Sequence, residues 1–407
     1  MDTFLYIIMV GLPARGKSTL AWKLYESLKR DNIKVRIFNN GYLRRKLSRE
    51  NTSYPEFFNP KNKTSAALRE KYAIMNLRRA KNFIHKEIAK KRVAIIDATN
   101  VSFERRKKII SFLGESNILF IECINNDQEI LEENIRLKTH IPEFSHITES
   151  EAIYSLKKRI EYYETIYNPL QNEPNFIKID TFNYKIIQYK VNDDLPFIDR
   201  VRDFIVTPFI KNLYLLRHTE SVYNLYDKIG GDSELTPKGI EDAQKIAKYF
   251  SNKKIPLIFT SSLKRTIQLA QIIKQYQKNC QIISFNEFNE INAGVCENMT
   301  YSEIRKTFPE IDRARKTNKY FYVYPQGEGY VSMEERIERG IKKVIYLSKH
   351  LDNIMIIGHR AVNRMILSYF VYKRQEDIPY IYVPIDRYYH ITINQNKKIF
   401  ELKSLNL

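Results

Sequence analysis

The sequence has only three cysteines in 407 residues, Cys123, Cys280 and Cys296, and no two of them share a CxxC spacing. An odd, scattered set excludes a disulfide framework and a zinc finger or ribbon. Reduced thiols in an intracellular protein fit it best. Long apolar runs are missing as well: no stretch approaches the ~20 residues needed to cross a bilayer. The N-terminus lacks the basic n-region and long apolar h-region of a secretory signal. Short-period repeats, coiled-coil heptads and low-complexity linkers are also absent. These absences predict a cytoplasmic, globular protein, and at roughly 100–200 residues per domain the length leans towards two or three domains.

Charge of one sign is plentiful. Lys and Arg number 67 against 47 Asp and Glu, a formal +20, which favours anionic partners by steering. The basic residues are scattered rather than gathered in a tail, which weakens a nucleic-acid reading and leaves phosphorylated metabolites as the other candidate. A lysine-rich background composition accounts for the excess equally well.

The first half alternates short β-rich runs with longer amphipathic ones, the pattern of a mainly parallel sheet with crossover helices. Strands are predicted at Leu5 to Val10, Val35 to Phe38, Val93 to Asp97 and Ile118 to Glu122, and late ones at Phe176 to Ile179 and Ile186 to Val191. Helices are predicted near 17–30, 65–91, 102–113 and 149–165. A polar stretch from Asn192 to Pro196 and Val206-Thr207-Pro208 then precede a fresh strand, so the boundary is placed near residue 210. The second half repeats the alternation, with strands at 213–217, 256–259 and 354–358 and late ones near 388–394 and 398–403. The expected fold class is α/β in two domains, 1–210 and 211–407, and the short remainder after the last strand leaves little room for a regulatory tail.

Gly11-Leu12-Pro13-Ala14-Arg15-Gly16-Lys17-Ser18 fits GxxxxGK[ST] between a predicted strand and a predicted helix. Glycines let backbone N–H groups wrap a phosphate, Lys17 reaches the β/γ-phosphates, and the Ser18 hydroxyl can bind Mg²⁺. Val93 to Asp97 supplies an apolar strand ending in a carboxylate, as a metal-side or catalytic group requires. The phosphoryl acceptor is sought among Gly41 through Arg45, Arg69, Lys138 and Arg159 with Tyr163, because guanidinium groups clamp phosphate oxygens bidentately.

A second pattern follows. Arg217-His218-Thr219-Glu220 ends one predicted strand and Gly358-His359-Arg360 ends another, the two histidines standing 141 positions apart. One imidazole can attack phosphorus while the second, with Arg217 and Arg265, steadies charge on the equatorial oxygens. Glu290 is the candidate acid for the leaving alkoxide.

With these residues in place, the whole chain resembles the bifunctional 6-phosphofructo-2-kinase/fructose-2,6-bisphosphatase family. Gly11 to Lys17, Gly41 through Arg45, Asp97-Ala98-Thr99-Asn100 and Arg159-Ile160-Glu161-Tyr162-Tyr163-Glu164 resemble its kinase signatures in order. Gly230-Gly231-Asp232-Ser233, Leu263 to Gln268 and Met299-Thr300-Tyr301 resemble those of its histidine-phosphatase half. The resemblance implies a P-loop kinase domain followed by a phosphoglycerate-mutase-like domain, which make and remove fructose 2,6-bisphosphate. It implies that Gly11 to Ser18, Thr19 and Asn126 bind ATP, with Mg²⁺ at Ser18 and Asp97 catalytic. Arg45, Arg69, Thr99, Lys138, Arg159 and Tyr163 would hold fructose 6-phosphate, Lys138 standing one residue earlier than in the family. His218 would carry the phosphoryl group, with Glu290 and His359 as catalytic partners. Arg217, Asn224, Gly230, Arg265, Tyr301, Arg315, Lys319, Tyr330 and Arg364 would bind the sugar bisphosphate.

Departures from the family pattern carry expectations of their own. Asn125 stands where a cysteine is common, which predicts a local retuning of ATP binding. Thr219 replaces a glycine, which predicts crowding by a β-branched side chain beside the nucleophile where the backbone needs room; Val323 replaces an arginine and Arg360 a glutamine, and together these predict phosphatase chemistry with changed affinity or rate. A kinase-dominant enzyme with an impaired phosphatase half is therefore the alternative; a nucleic-acid end-processing protein and a non-catalytic metabolite sensor are the other readings. Expected partners are small-molecule sugar phosphates, with neither nucleic acid nor membrane, and a homodimer is kept open.

Overall fold

The computed structural model describes residues 3–48, 51–114, 116–348, 351–371, 374–394, 397–405 and 407. The chain divides into two compact units, Met1–Pro208 and Phe209–Leu407.

The first unit runs β1 (Thr3–Val10), α1 (Lys17–Arg30), β2 (Lys34–Asn39), α2 (Asn40–Leu47), α3 (Lys63–Lys86), β3 (Lys91–Asp97) and α4 (Phe103–Leu113). It continues with β4 (Ile118–Ile124), α5 (Gln128–Thr139), α6 (Glu149–Glu164), β5 (Phe176–Asp180), β6 (Lys185–Lys190) and α7 (Ile198–Ile205). Sheet order is β2-β3-β1-β4-β5-β6, parallel throughout except for β6, which pairs antiparallel with β5. Strand β1 reads as a near-continuous apolar run because both its faces are covered: Leu5 through Val10 are at most 1% exposed. Tyr6, Ile8 and Val10 pack with Leu77, Ala80, Phe83 and Ile84 of α3 and Ile109 of α4, and each such buried aliphatic contributes ~1.5–3 kcal/mol over its exposed state. The chain leaves β1 towards β2 on one side and β4 lies on the other, so the carboxyl end of β1 is the switch point where open α/β sheets bind ligands.

The second unit runs β7 (Ile210–Arg217), α8 (Val222–Leu225), α9 (Pro237–Phe250), β8 (Leu257–Thr260), α10 (Lys264–Gln275), β9 (Gln281–Ser284), α11 (Tyr301–Thr307) and α12 (Pro309–Thr317). It ends with α13 (Tyr330–Ser348), β10 (Asn353–Gly358), α14 (Arg360–Phe370), β11 (Arg387–Asn394) and β12 (Lys397–Ser404). The order is β12-β11-β7-β10-β8-β9, parallel from β7 to β9, with β11 and β12 antiparallel at one edge. Its core joins Leu216, Met355 and Ile357 to Ala243, Ile246 and Phe250 of α9 and Leu269 and Ile273 of α10. Two mainly parallel α/β sheets are thus present, as the alternation predicts. No helix among the described residues is long and apolar enough to cross a membrane.

One local expectation fails, and three helices of the first unit carry none. The helix expected over 65–91 ends at Lys86, and Glu87 takes an extended ψ of 132°. Beyond it the Lys90 carbonyl already pairs with Thr3 N–H at 2.8 Å, so the segment is committed to entering the sheet. Helices α2, α5 and α7 carry no prediction: α2 and α7 span only eight residues each, too few for periodicity to separate helix from loop.

Candidate active sites

In the first unit β1 delivers the chain into the phosphate-loop motif. Gly11 has φ 134°, and a Cβ there would lie 2.5 Å from the Cys123 carbonyl oxygen, so the first motif position excludes any side chain. Asn134 Nδ2 donates to the Ala14 carbonyl at 2.7 Å and Thr181 Oγ1 to that of Arg15 at 3.0 Å, which pins the loop from two sides. Lys17 is buried, its Nζ donating to the Leu12 carbonyl at 2.6 Å. Burial pushes its ammonium down to about 8, against the pull of Asp97. An arriving phosphate would supply the missing counter-charge.

Asp97 ends β3 and accepts from Asn39 Nδ2 at 2.5 Å, the two residues being paired across β2 and β3. Ser18 and Asn126 are exposed, and Thr19 is half-buried. Asn125 is buried: its Oδ1 accepts from Asp127 N–H at 2.9 Å, which leads into the Asp127 cap of α5.

A cavity of about 340 Å³ opens beside this loop. Arg69, Thr99, Arg159 and Tyr163, all expected at a sugar phosphate, line it. Its floor is Phe58, the last residue of a single turn of 3₁₀-helix, Pro55–Phe58. Arg159 stacks 4.0 Å and Arg44 4.9 Å from the Phe58 ring centre, and Arg69 donates to the Phe57 carbonyl. Three guanidinium groups thus converge on an aromatic floor, and burial lowers the pKa of Arg44, to about 10, and of Arg69. The Nε atoms of Arg44 and Arg159 are buried with no protein partner, which is how donors waiting for an anion present themselves.

Two expected residues do not line this cavity. Of the stretch Gly41 through Arg45, the helical phase of α2 puts Gly41 and Arg44 on the cavity wall beside Asn40, while Arg45 sits half-exposed next to Gly41 and shares Glu143 with Arg44. Lys138 lies in the last turn of α5 and is likewise absent from the wall. Arg105, not singled out in the sequence, does line it. The signal was the N-cap Ser102, whose Oγ accepts from Arg105 N–H and so fixes Arg105 in the first turn of α4.

In the second unit adjacency of β7 and β10 brings the two histidines together: their ring centres are 5.2 Å apart at 60°. His218 is 3% exposed, and its Nδ1 lies 2.7 Å from the Thr219 carbonyl. A carbonyl only accepts, so Nδ1 carries the hydrogen and Nε2 keeps its lone pair. His359 is fully buried; Arg265 Nε donates to its Nδ1 at 3.2 Å, which leaves Nε2–H to donate to Ser261 Oγ at 2.8 Å. Burial, then the charges of Arg265 and Arg217, hold His218 well below the ordinary histidine range. The downward shift means a neutral nucleophile at pH 7, lost only as pH falls far below 6.5. In NMR spectra of ¹³C-histidine-labelled protein, His218 is expected to keep the shifts of neutral imidazole at pH 6; an inflection near 6.5 would contradict this.

Arg217, 7% exposed, has a buried Nε without a partner, and burial followed by the charge of Arg360 brings it down to about 10. Glu290 accepts from Ala361 N–H at 3.3 Å, so its carboxylate sits at the start of α14 beside His359. Arg265 Nη1 donates at 2.8 Å to the carbonyl of Gly231, next to the left-handed Gly230. A second cationic group adjoins: Arg364 bonds the Tyr330 hydroxyl at 2.9 Å, and Arg315 stacks on Tyr301 at 4.7 Å. Lys319 Nζ donates to the Pro379 carbonyl at 3.4 Å, and burial, then Arg364, Arg315 and Arg360, lower its pKa to about 8. Asn224 is exposed, its Oδ1 closing a capping box with Ser221.

The expected crowding by Thr219 does not occur. Its side chain is fully buried and points away from the nucleophile, Oγ1 donating to the Gly239 carbonyl at 2.8 Å, and its φ is not in the left-handed region. Gly239 permits this close approach of α9, since any Cβ there would strike the Glu220 carbonyl. Thr219→Gly is therefore expected to change the phosphatase kcat/KM by less than about threefold while costing about 1–2 kcal/mol of stability. Steady-state assays beside thermal melts check both; a large gain in rate would restore the crowding argument. Val323 is exposed, 43%.

Comparison with known proteins bears on both units. A family model described as 6-phosphofructo-2-kinase matches residues 1–207, and one described as histidine phosphatase superfamily (branch 1) matches 213–406. The chain is 35% identical over 392 residues to "6-phosphofructo-2-kinase/fructose-2,6-bisphosphatase 3" of Rattus norvegicus, covering 93% of this chain and 68% of the relative. It is 36% identical over 391 residues to the "4" form of Homo sapiens, covering 93% and 80%. Among solved structures, a putative alpha-ribazole-5'-P phosphatase from Escherichia coli aligns with 48% of this chain and 96% of its own, at 22% identity and a TM-score of 0.45. The matches run in order through both units, and the chain belongs to the 6-phosphofructo-2-kinase/fructose-2,6-bisphosphatase family.

Proposed function

We propose that the residues assembled above carry two opposed reactions on one metabolite. The first unit transfers the γ-phosphoryl group of ATP to the 2-hydroxyl of fructose 6-phosphate; the second hydrolyses fructose 2,6-bisphosphate at the same position through a phosphohistidine. The alternative of an impaired phosphatase half is not favoured, since both family matches run through their units and the Thr219 side chain points away from the nucleophile.

In the kinase site Gly11 to Thr19 and Asn126 hold ATP, and Lys17 meets the transferring phosphate. Arg44, Arg69, Arg105 and Arg159, with Thr99 and Tyr163, hold the sugar phosphate, so that in-line transfer relies on positioning and electrostatics. The exposed Ser18 hydroxyl in the first helical turn and the Asp97 carboxylate fit Mg²⁺, which takes one or two protein oxygens and completes its shell with phosphate and water. When bound, that ion neutralises charge on the β- and γ-phosphates.

In the phosphatase site His218 Nε2 attacks the 2-phosphorus and the bond to the C2 oxygen breaks. Glu290 protonates the departing alkoxide, and then takes a proton from the water that attacks the phosphohistidine. Arg217, Arg265 and His359 surround the transferring oxygens, and the Thr219 carbonyl steadies the Nδ1–H as charge develops on the ring. Lys319, Tyr330 and Arg364, with Arg315 and Tyr301, take the remainder of the bisphosphate; Asn224 and Gly230 shape the rim. The reading places the protein in the cytoplasm, acting on sugar phosphates without nucleic acid or membrane, and includes self-association as a homodimer, which sedimentation would test.

The observation that carries it is His218: buried, held neutral, its Nδ1 committed, 5.2 Å from a second buried histidine, in a chain that also holds an intact phosphate loop. The test supplies purified protein with ATP and fructose 6-phosphate, and separately with fructose 2,6-bisphosphate labelled at the 2-phosphate. Fructose 2,6-bisphosphate formation in the first assay, and base-stable protein label with phosphate release in the second, are expected. Failure of either assay refutes the corresponding half.

A further inference from the structure

Arg106 follows Arg105 on α4, yet it faces the interior. At 1% exposure it is among the largest fully buried side chains. Its Nε donates to Glu173 Oε1 at 2.5 Å, its Nη1 to the carbonyls of Val101 at 2.8 Å and Asn100 at 3.3 Å, and its Nη2 to that of Pro169 at 3.5 Å. The second Glu173 oxygen accepts from Gln171 N–H at 3.0 Å. Neither Arg106 nor Glu173 lines the sugar-phosphate cavity.

What the pair holds, however, is a wall of that cavity. Ala98, Thr99, Asn100, Val101 and Ser102 all line it. The other edge of the same segment is bonded to the nucleotide loop: Gly11 N–H donates to the Thr99 carbonyl and Asn100 Nδ2 to the Met9 carbonyl, each at 2.9 Å. Asn100 itself has φ 45°, a left-handed backbone that persists where its surroundings over-determine it. Segment 98–102 is thus a strut between phosphate donor and acceptor, clamped from beneath by one guanidinium. Desolvating an ion pair is seldom recovered by its attraction, and an apolar pair of similar volume would serve the core as well. An apolar pair cannot hold three carbonyls at set positions, which Arg, with five donors in a rigid fork, can do.

We propose that Arg106, held by Glu173, is a positioning residue for phosphoryl transfer: it sets the place of segment 98–102 and through it the separation between the nucleotide loop and the sugar-phosphate pocket. The inference rests on the reading of that cavity as the fructose 6-phosphate site.

The test compares full-length wild type with Arg106→Met, Arg106→Lys and the double variant Arg106→Met/Glu173→Leu, which leaves no unpaired buried carboxylate. ATP-binding stoichiometry by calorimetry, which reads the same unit as Arg106, counts folded kinase unit in each preparation. The kinase KM for fructose 6-phosphate is expected to rise about tenfold or more in both methionine variants and kcat to fall about tenfold, with KM for ATP within about twofold. Arg106→Lys, which keeps one or two of the bonds, should recover part of both losses. A merely structural pair would lower Vmax with the folded fraction and leave both KM values alone. That outcome in the double variant, or an equal rise in both KM values, would overturn the inference while leaving the site reading intact. If wild type forms no fructose 2,6-bisphosphate, the site reading itself fails, and the inference with it.

Discussion

Replacing His218 by alanine is expected to abolish fructose 2,6-bisphosphate hydrolysis, by about 10³-fold or more in kcat, and to leave the protein unlabelled by the 2-phosphate. The size of the effect follows from the role: no other described side chain presents a neutral nitrogen lone pair among Arg217, Arg265 and His359, and those groups steady charge without forming a bond to phosphorus. Kinase turnover should stay within about twofold, because His218 belongs to a unit with its own sheet and core. The measurement is single-turnover release of labelled phosphate, with the protein quenched in base to preserve any phosphohistidine. Label persisting on the alanine variant would transfer the nucleophile to another residue.

Lys17→Met should be as severe for the other reaction, lowering kinase kcat/KM by about 10³-fold with the phosphatase unchanged. Methionine keeps the length and apolar stem that pack at this buried position and removes the charge together with the hydrogen bond to the Leu12 carbonyl. The ammonium is already pushed down to about 8 by burial, so its positive form is costly there unless an anion shares the site. ATP binding above pH 8 should therefore take up a proton. Calorimetry in two buffers of different ionisation enthalpy reads that uptake directly in wild type, and it should vanish in Lys17→Met; uptake persisting in the variant would assign it elsewhere.

Much of the fold is legible in the chain. β1, β3, β4, β7 and β10 are short apolar runs bounded by polar residues, and α1, α4 and α6 carry helical periodicity within a residue or two of their true ends. The phosphate loop is legible because its backbone shape demands particular residues: the positive φ of Gly11 and Gly16 and the closeness of Cys123 leave little choice. The identity of the sugar was not legible from pattern alone and entered through resemblance to a family. The arginines of the acceptor pocket were read less well. Of the neighbours Arg44 and Arg45, which one faces the cavity depends on the phase of an eight-residue helix whose start is set by the Asn39 cap. Nor does local sequence reveal that Phe58 lines the cavity, since a single 3₁₀ turn has no period to detect.

The sequence by itself determined the chemistry available: a phosphate loop, a strand-end carboxylate, two strand-end histidines and an abundance of guanidinium groups. Only the tertiary structure decided which of these meet. Parallel pairing of β7 with β10 sets two histidines 141 positions apart in contact, and the close approach of Gly239 to Glu220 brings a carbonyl to which the Thr219 hydroxyl donates, away from the nucleophile. The buried fork of Arg106 ties the acceptor wall to a distant glutamate. The physical reason is common to all three. Local residue preferences act over a few positions, whereas strand order, close backbone approach and the satisfaction of buried polar groups are properties of segments far apart in the chain.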